Sequence, residues 1–224
     1  MENQFSTQFF PIHIVGYQAY EIPPDVMEAL QKETSKMISK KFKKSVPYNN
    51  TLIGHIEHEY QLKKSINLLE HYISATAPLY WNNFTHKNLH LNANKKHVFA
   101  RTKERLPAVW VNFQKKYEFQ PVHHHHGVLS FVIFLKIPYT LEEENRNFSS
   151  ANNNNPLSGT FNFIYNDEIT MYQGSITNQI LPIDKESEGT MIIFPASLNH
   201  IVYPFFSSDE YRITISGNIE FDES

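Results

Sequence analysis

The sequence predicts a mainly β fold with flanking helices, and three observations predict it. Seven short runs rich in β-branched and aromatic residues, separated by turn signals, fill the second half of the chain. The first half instead carries apolar residues at helical steps of three and four. No internal repeat or long linker divides the 224 residues, which suffice for one domain with a sizeable core.

The elements follow in chain order. PIHIVGYQAYEIP (11–23) has short strand character. PPDVMEALQKETSKMISKKF opens with prolines suited to a first helical turn and continues in good helix formers, which predicts a helix over 23–44. Ile66, Leu69, Ile73, Ala77, Tyr80 and Phe84 form one face of a second helix over 63–84, bent at Pro78. THKNLHLNANKKH (85–97) is polar and reads as a loop. From residue 107 the period changes. Strands are expected at 107–119, 128–138, 159–165, 168–174, 189–195, 200–206 and 211–221, a count and spacing that suit a β-sandwich or barrel. EEENRNFSSANNNNP (142–156) is poor in apolar residues and reads as a surface loop. The expected organisation is a helical and mixed support region, 1–106, and a β core, 107–224, within one structural domain.

Composition removes several function classes. A net charge of −3 gives no global basic field for nucleic acid. The local exception, KMISKKFKK (36–44), holds five lysines but reads as a solvated helix end with Met37, Ile38 and Phe42 buried. The absence of cysteine excludes disulfides, thiolate metal sites and cysteine nucleophiles. No apolar run approaches the roughly 20 residues that span a membrane. MENQFSTQFFPIHIVGYQ lacks a basic start followed by an apolar core, so a cytoplasmic location is expected.

Chemistry concentrates in four adjacent histidines, 123–126, between Pro121 and Gly127. Strand geometry puts His123 and His125 on one face and His124 and His126 on the other. Two imidazoles two residues apart on a strand can hold one metal ion, which then needs a third ligand from elsewhere. His200 offers it, at a strand start just after the Pro195-Ala196-Ser197 turn. Arg212 lies within the alternating strand YRITISGNI, where burial is costly unless the guanidinium meets an anion. Thr214 shares its face, and an arginine beside a hydroxyl can hold a carboxylate.

WVNFQKKYEFQPVHHHHGVLSFVIFLKIP together with EGTMIIFPASLNHIVYPFFSSDEYRITISGNI resembles the 2-oxoglutarate/Fe(II)-dependent oxygenases, most of all members encoded by marine bacteriophages. The resemblance covers roughly 107–219, with LIGHIEHEY (52–60) as an extension. It implies a double-stranded β-helix, or jelly roll. It also implies His123 and His200 as iron ligands, and Arg212 with Thr214 as the clamp for the far carboxylate of 2-oxoglutarate. Thr214 stands where the superfamily usually has serine. The departure is His125, where a carboxylate is usual. Two histidines and a carboxylate leave ferrous iron with one net positive charge; three neutral imidazoles leave two, and they suit zinc, copper and nickel as well.

The register of the histidine pair is open, since 124/126 obeys the same spacing. The family spelling Pro121-x-His-x-His-x-Gly favours 123/125, as do the apolar odd positions 129–137, which suggest a strand face turned to the barrel interior. Trp110, Asn112 and Gln114 alternate on one face and are candidates to line the cosubstrate or substrate pocket. Packing with exposed amides is the alternative, and Asn162 and Asn218 have the same status. The implied function is an Fe(II)- and 2-oxoglutarate-dependent oxygenase that takes O2 and hydroxylates a substrate the sequence does not identify. The alternatives are a cupin-like three-histidine metal enzyme without 2-oxoglutarate, and a non-catalytic jelly-roll protein.

Overall fold

Two antiparallel sheets form the body of this computed structural model, in which residues 16–84, 104–146, 154, 156–166 and 176–221 are described. In chain order the elements are β1 (Gln18–Glu21), α1 (Pro24–Ser39), β2 (His58–Gln61), α2 (Ile66–Phe84), β3 (Glu104–Gln114), β4 (Gln120–His123), β5 (Leu129–Lys136), α3 (Leu141–Arg146), β6 (Phe161–Asn166), β7 (Ile176–Leu181), β8 (Thr190–Pro195), β9 (His200–Val202) and β10 (Arg212–Phe221). The larger sheet has the order β1-β8-β5-β10-β3-β2 and the smaller one β4-β9-β6-β7. The fold is mainly β with flanking helices, a double-stranded β-helix.

β1 and β2 come from the first half of the chain and edge the larger sheet, against β8 and β3 respectively. α1 begins at Pro24, where the missing N–H is one the helix could not have satisfied anyway. It ends at Ser39, short of the expected 44, because Lys41 (φ 49°) and Phe42 (φ 59°) turn left-handed. That conformation costs about 1–2 kcal/mol per residue. At Phe42 it is offset by ring contacts with His58, Tyr60 and Phe113, whose centroids lie 4.5, 4.9 and 5.0 Å away. The lysines at 40–44 therefore sit on a turn. Glu33 of α1 accepts the backbone N–H groups of Lys63, Lys64 and Ser65 at 3.1, 2.9 and 2.7 Å. It ties the approach to α2 back onto α1. α2 runs through Pro78 and buries Leu69, Ile73, Ala77 and Tyr80, the face its sequence spacing foretold.

The core has two layers. Leu30, Leu69 and Ile73 of the helices meet Val109, Val111, Phe131, Ile133, Ile213 and Ile215 of the larger sheet. Val132, Phe134, Phe161, Phe163, Ile192 and Phe194 fill the second layer, where the two sheets face each other. β5 contributes to both, and this corrects the parity argument: its odd positions 129–135 face the helical layer, and its even positions 132 and 134 face the other sheet. Both faces of β5 are buried, so apolarity could not tell them apart. Gly127, at φ 101°, breaks the alternation between the histidine run and β5; a side chain there would press on the Ile219 carbonyl at 3.0 Å.

Two further differences stand out. The acidic stretch expected to be loop begins as α3, because Glu144 is fully buried and accepts the N–H of Phe206 (3.0 and 2.9 Å) and Ser207 (2.6 Å). β2, β4 and β7 lack clean apolar alternation and had no sequence signal as separate strands. The expected strand 168–174 and loop 85–97 lie outside the described residues. Among the described residues no helix is long and apolar enough to cross a membrane.

Leu69 is fully buried between α2 and the sheet, so Leu69→Ala leaves a cavity and is expected to cost about 2–5 kcal/mol in urea unfolding. A loss below roughly 0.5 kcal/mol would show that the helical layer does not stabilise the sheet.

Candidate metal centre

The smaller sheet brings the histidines together. β4 and β9 pair antiparallel with His123 opposite His200. The backbone N–H of His125 donates to Ala196 O at 2.8 Å, which holds the residues after β4 against the 195–200 turn. The ring centroids of His123 and His200 are 4.2 Å apart, and His125 lies 5.0 Å from each. One ring nitrogen from each of the three lies within 4.8 Å of the others. His124 and His126 are exposed and outside this cluster. Of the two pairs the sequence allowed, it is His123 and His125 that lie beside His200.

Backbone carbonyls orient two of the rings. His123 Nδ1 is 2.7 Å from Pro121 O, and His200 Nδ1 is 3.0 Å from Leu198 O. A carbonyl only accepts, so each Nδ1 carries the proton and each Nε2 keeps a free lone pair. Burial holds all three imidazoles below the usual histidine range, and neighbouring imidazoles add to it. His125 is pushed down to about 3. The three are neutral at pH 7, the form that binds a metal. Three inward-turned neutral nitrogens fit a divalent ion, iron among them.

The cavity beside the cluster runs between the sheets. Trp110, Asn112, Gln114, Arg212 and Thr214 line it along with His125 and His200. Trp110 Nε1 and Asn112 Oδ1 are buried there without a hydrogen-bond partner. Asn112 Nδ2 donates to Thr214 Oγ1 at 3.1 Å and Ser216 Oγ at 3.3 Å. Asn162 and Asn218 do not line the cavity. Asn162 is fully buried with both amide atoms unpartnered, and Asn218 Oδ1 accepts from Ser130 Oγ at 3.1 Å.

Arg212 differs from the expectation that a carboxylate is its only suitable partner. It is 3% exposed, and neutral groups take every N–H. Nε and Nη2 both donate to Gln114 Oε1, at 3.0 and 2.5 Å. Nη2 also donates to Tyr203 O at 3.2 Å. Nη1 donates to the Tyr139 hydroxyl at 2.7 Å and to Gly159 O at 3.0 Å. Tyr139 and Gly159 escaped the sequence reading. Gly159 (φ 73°) is required, since a Cβ there would come within 2.7 Å of the Tyr139 ring. Neither residue carried a spacing signal, because they meet Arg212 only through the turns that join the sheets.

Residues 108–218 match a family model described as "Putative 2OG-Fe(II) oxygenase". In this region the chain is similar to that family. The family's name carries its cofactor and cosubstrate, Fe(II) and 2-oxoglutarate. Among solved structures the likeness in fold extends over nearly the whole chain. A Pseudomonas putida prolyl-4-hydroxylase is 12% identical, with 92% of each chain covered and a TM-score of 0.54. The non-heme alpha ketoglutarate dependent carbocyclase SnoK from nogalamycin biosynthesis is 10% identical, with 93% of this chain and 80% of that one covered and a TM-score of 0.54. At these identities the likeness is one of fold. No curated protein matches the chain.

An acidic group stands behind the wall of this cavity. Glu59 of β2 is 3% exposed and sits opposite Asn112 in the sheet. Gln120, which lines the cavity, donates to its Oε1 at 3.2 Å, and Asn49 Nδ2 lies 3.4 Å from its Oε2. Burial raises its pKa to about 7; the Gln120 bond pulls the other way. A carboxyl whose folded pKa exceeds its unfolded value stabilises fully below the unfolded value, near 4.5, and loses that contribution as pH rises through 7. Glu59→Gln is therefore expected to be more stable than wild type at pH 8 by about 1–3 kcal/mol relative to their difference at pH 4.5. Urea midpoints across that range check it, and a pH-independent difference would contradict it.

Proposed function

We propose that the protein is an Fe(II)- and 2-oxoglutarate-dependent oxygenase, with His123, His125 and His200 as the metal ligands and Arg212 with Thr214 as the carboxylate site. The observation that carries this reading is the cluster of three neutral ring nitrogens beside a cavity that also holds Arg212. Iron, when bound, supplies the redox chemistry by which 2-oxoglutarate, O2 and a C–H bond become succinate, CO2 and an alcohol. The chain's own residues do the rest. The carbonyls of Pro121 and Leu198 keep Nδ1 protonated on His123 and His200, so Nε2 would be the nitrogen that holds the metal. Arg212 is a buried cation without a carboxylate partner among the described residues, which favours an anion in the cavity. Trp110 Nε1 and Asn112 Oδ1 supply an unused donor and acceptor for a polar ligand. Phe134 and Phe161 on the wall exclude water. The substrate class is open: a small molecule, a protein side chain or a nucleobase.

One observation favours a second reading, a three-histidine metal enzyme that does not use 2-oxoglutarate: every N–H of Arg212 is already satisfied within the fold. A turnover assay separates the two. Protein loaded anaerobically with Fe(II) is given 2-oxoglutarate, O2 and a substrate panel, and succinate is measured. Succinate is expected in wild type, is lost in His200→Ala, and falls at least tenfold in Arg212→Lys, whose point charge cannot match the planar fork. Oxidation of a substrate without any succinate would move the protein to the second reading.

A further inference from the structure

Arg212 has one edge that can open. Three of its acceptors are fixed: the carbonyls of Gly159 and Tyr203 are backbone, and the Tyr139 hydroxyl is held by its own bond to Gly159 O at 2.7 Å. The Tyr139 ring is further confined by stacking on Phe205 at 4.9 Å. The fourth acceptor is a side chain. Gln114 lies directly opposite Arg212 in the β3–β10 pairing, so the register places both on one face. Its Oε1 bridges Nε and Nη2, an edge of the guanidinium that a carboxylate can take with two oxygens. The amide orientation is fixed at both ends. A guanidinium only donates, so the oxygen must face it, and Nε2 then donates to Glu118 O at 2.5 Å.

We propose that Gln114 is an internal occupant of the carboxylate clamp, and that an acidic cosubstrate reaches Arg212 by displacing the Gln114 amide from the Nε/Nη2 edge. This rests on the reading of Arg212 as the clamp. The exchange is favourable in kind, because a charged acceptor with two oxygens replaces a neutral one with a single oxygen. It does not undo the neighbouring turn. Lys115 N still donates to the Glu118 carboxylate at 2.7 Å, and Tyr117 N to Phe205 O at 3.0 Å. Gln114 thereby sets a threshold for the clamp: a neutral or weakly accepting ligand gains nothing by replacing the amide, whereas a carboxylate does. The residue acts as a specificity determinant through Arg212.

Calorimetric titration of 2-oxoglutarate into anaerobic, metal-loaded protein tests this, with metal content measured in every variant. Gln114→Glu installs a tethered carboxylate at the fork and is expected to weaken 2-oxoglutarate binding by about tenfold or more. Gln114→Ala removes the competitor and is expected to bind 2-oxoglutarate as tightly as wild type or up to about tenfold more tightly. Unchanged affinity in Gln114→Glu, or a loss of about tenfold in Gln114→Ala, would overturn the proposal. Arg212→Ala separates the two levels of failure. If it binds 2-oxoglutarate like wild type, the clamp reading itself is wrong. If it loses binding while Gln114→Glu keeps it, only the role of Gln114 is wrong.

Discussion

The pairing of His123 with His200 across two short strands sets the geometry on which the rest of the site depends. Opposed residues on antiparallel strands come within about 4.5–5.5 Å. Two imidazoles placed there meet without help from any loop, and the hydrogen bond from His125 N to Ala196 O folds the third ring in beside them. Burial then keeps all three neutral, which removes the repulsion that three imidazolium groups would bring. The same arrangement sets the electrostatics of any bound metal. With no carboxylate among the three, a divalent ion would keep its full charge, and an acid ligand would neutralise more of it than in a two-histidine, one-carboxylate site.

Arg212 is the second organising group, and it works on two levels. Its guanidinium joins β3 through Gln114 and the inter-sheet turns through Tyr139, Gly159 and Tyr203. A cation this buried ties these segments together, and it touches no carboxylate among the described residues. Of its four acceptors, two are backbone carbonyls, one is the ring-confined Tyr139 hydroxyl and one is the Gln114 side-chain amide.

How much of this could be read from the residues follows from the kind of signal each carried. The histidine run, His200 and the Arg212-x-Thr214 pair stood out because clustered imidazoles and a lone cation are conspicuous among apolar strands. The helical face of Ile66 to Tyr80 was legible because one side of α2 is buried and the other is not. β5 defeated the same logic, since helices cover one of its faces and the second sheet covers the other. β2 joined the larger sheet without an alternating pattern, and with it Glu59, whose placement behind Gln120 no local spacing announces. Tyr139 and Gly159 were invisible for a related reason: residues 53 and 73 positions from Arg212 meet it only once the turns between sheets have formed. The end of α1 failed differently. Good helix formers continue past Ser39, but the aromatic cluster around Phe42 outweighs propensity.

The central claim is that three imidazoles from this chain, and no side-chain carboxylate, hold one ferrous ion. X-ray absorption of protein loaded anaerobically with one equivalent of Fe(II) tests it most directly, because scattering from the imidazole rings counts the histidine ligands. The account predicts three, falling to two in His125→Asp. A count of two or fewer in wild type, or no change in His125→Asp, would contradict it.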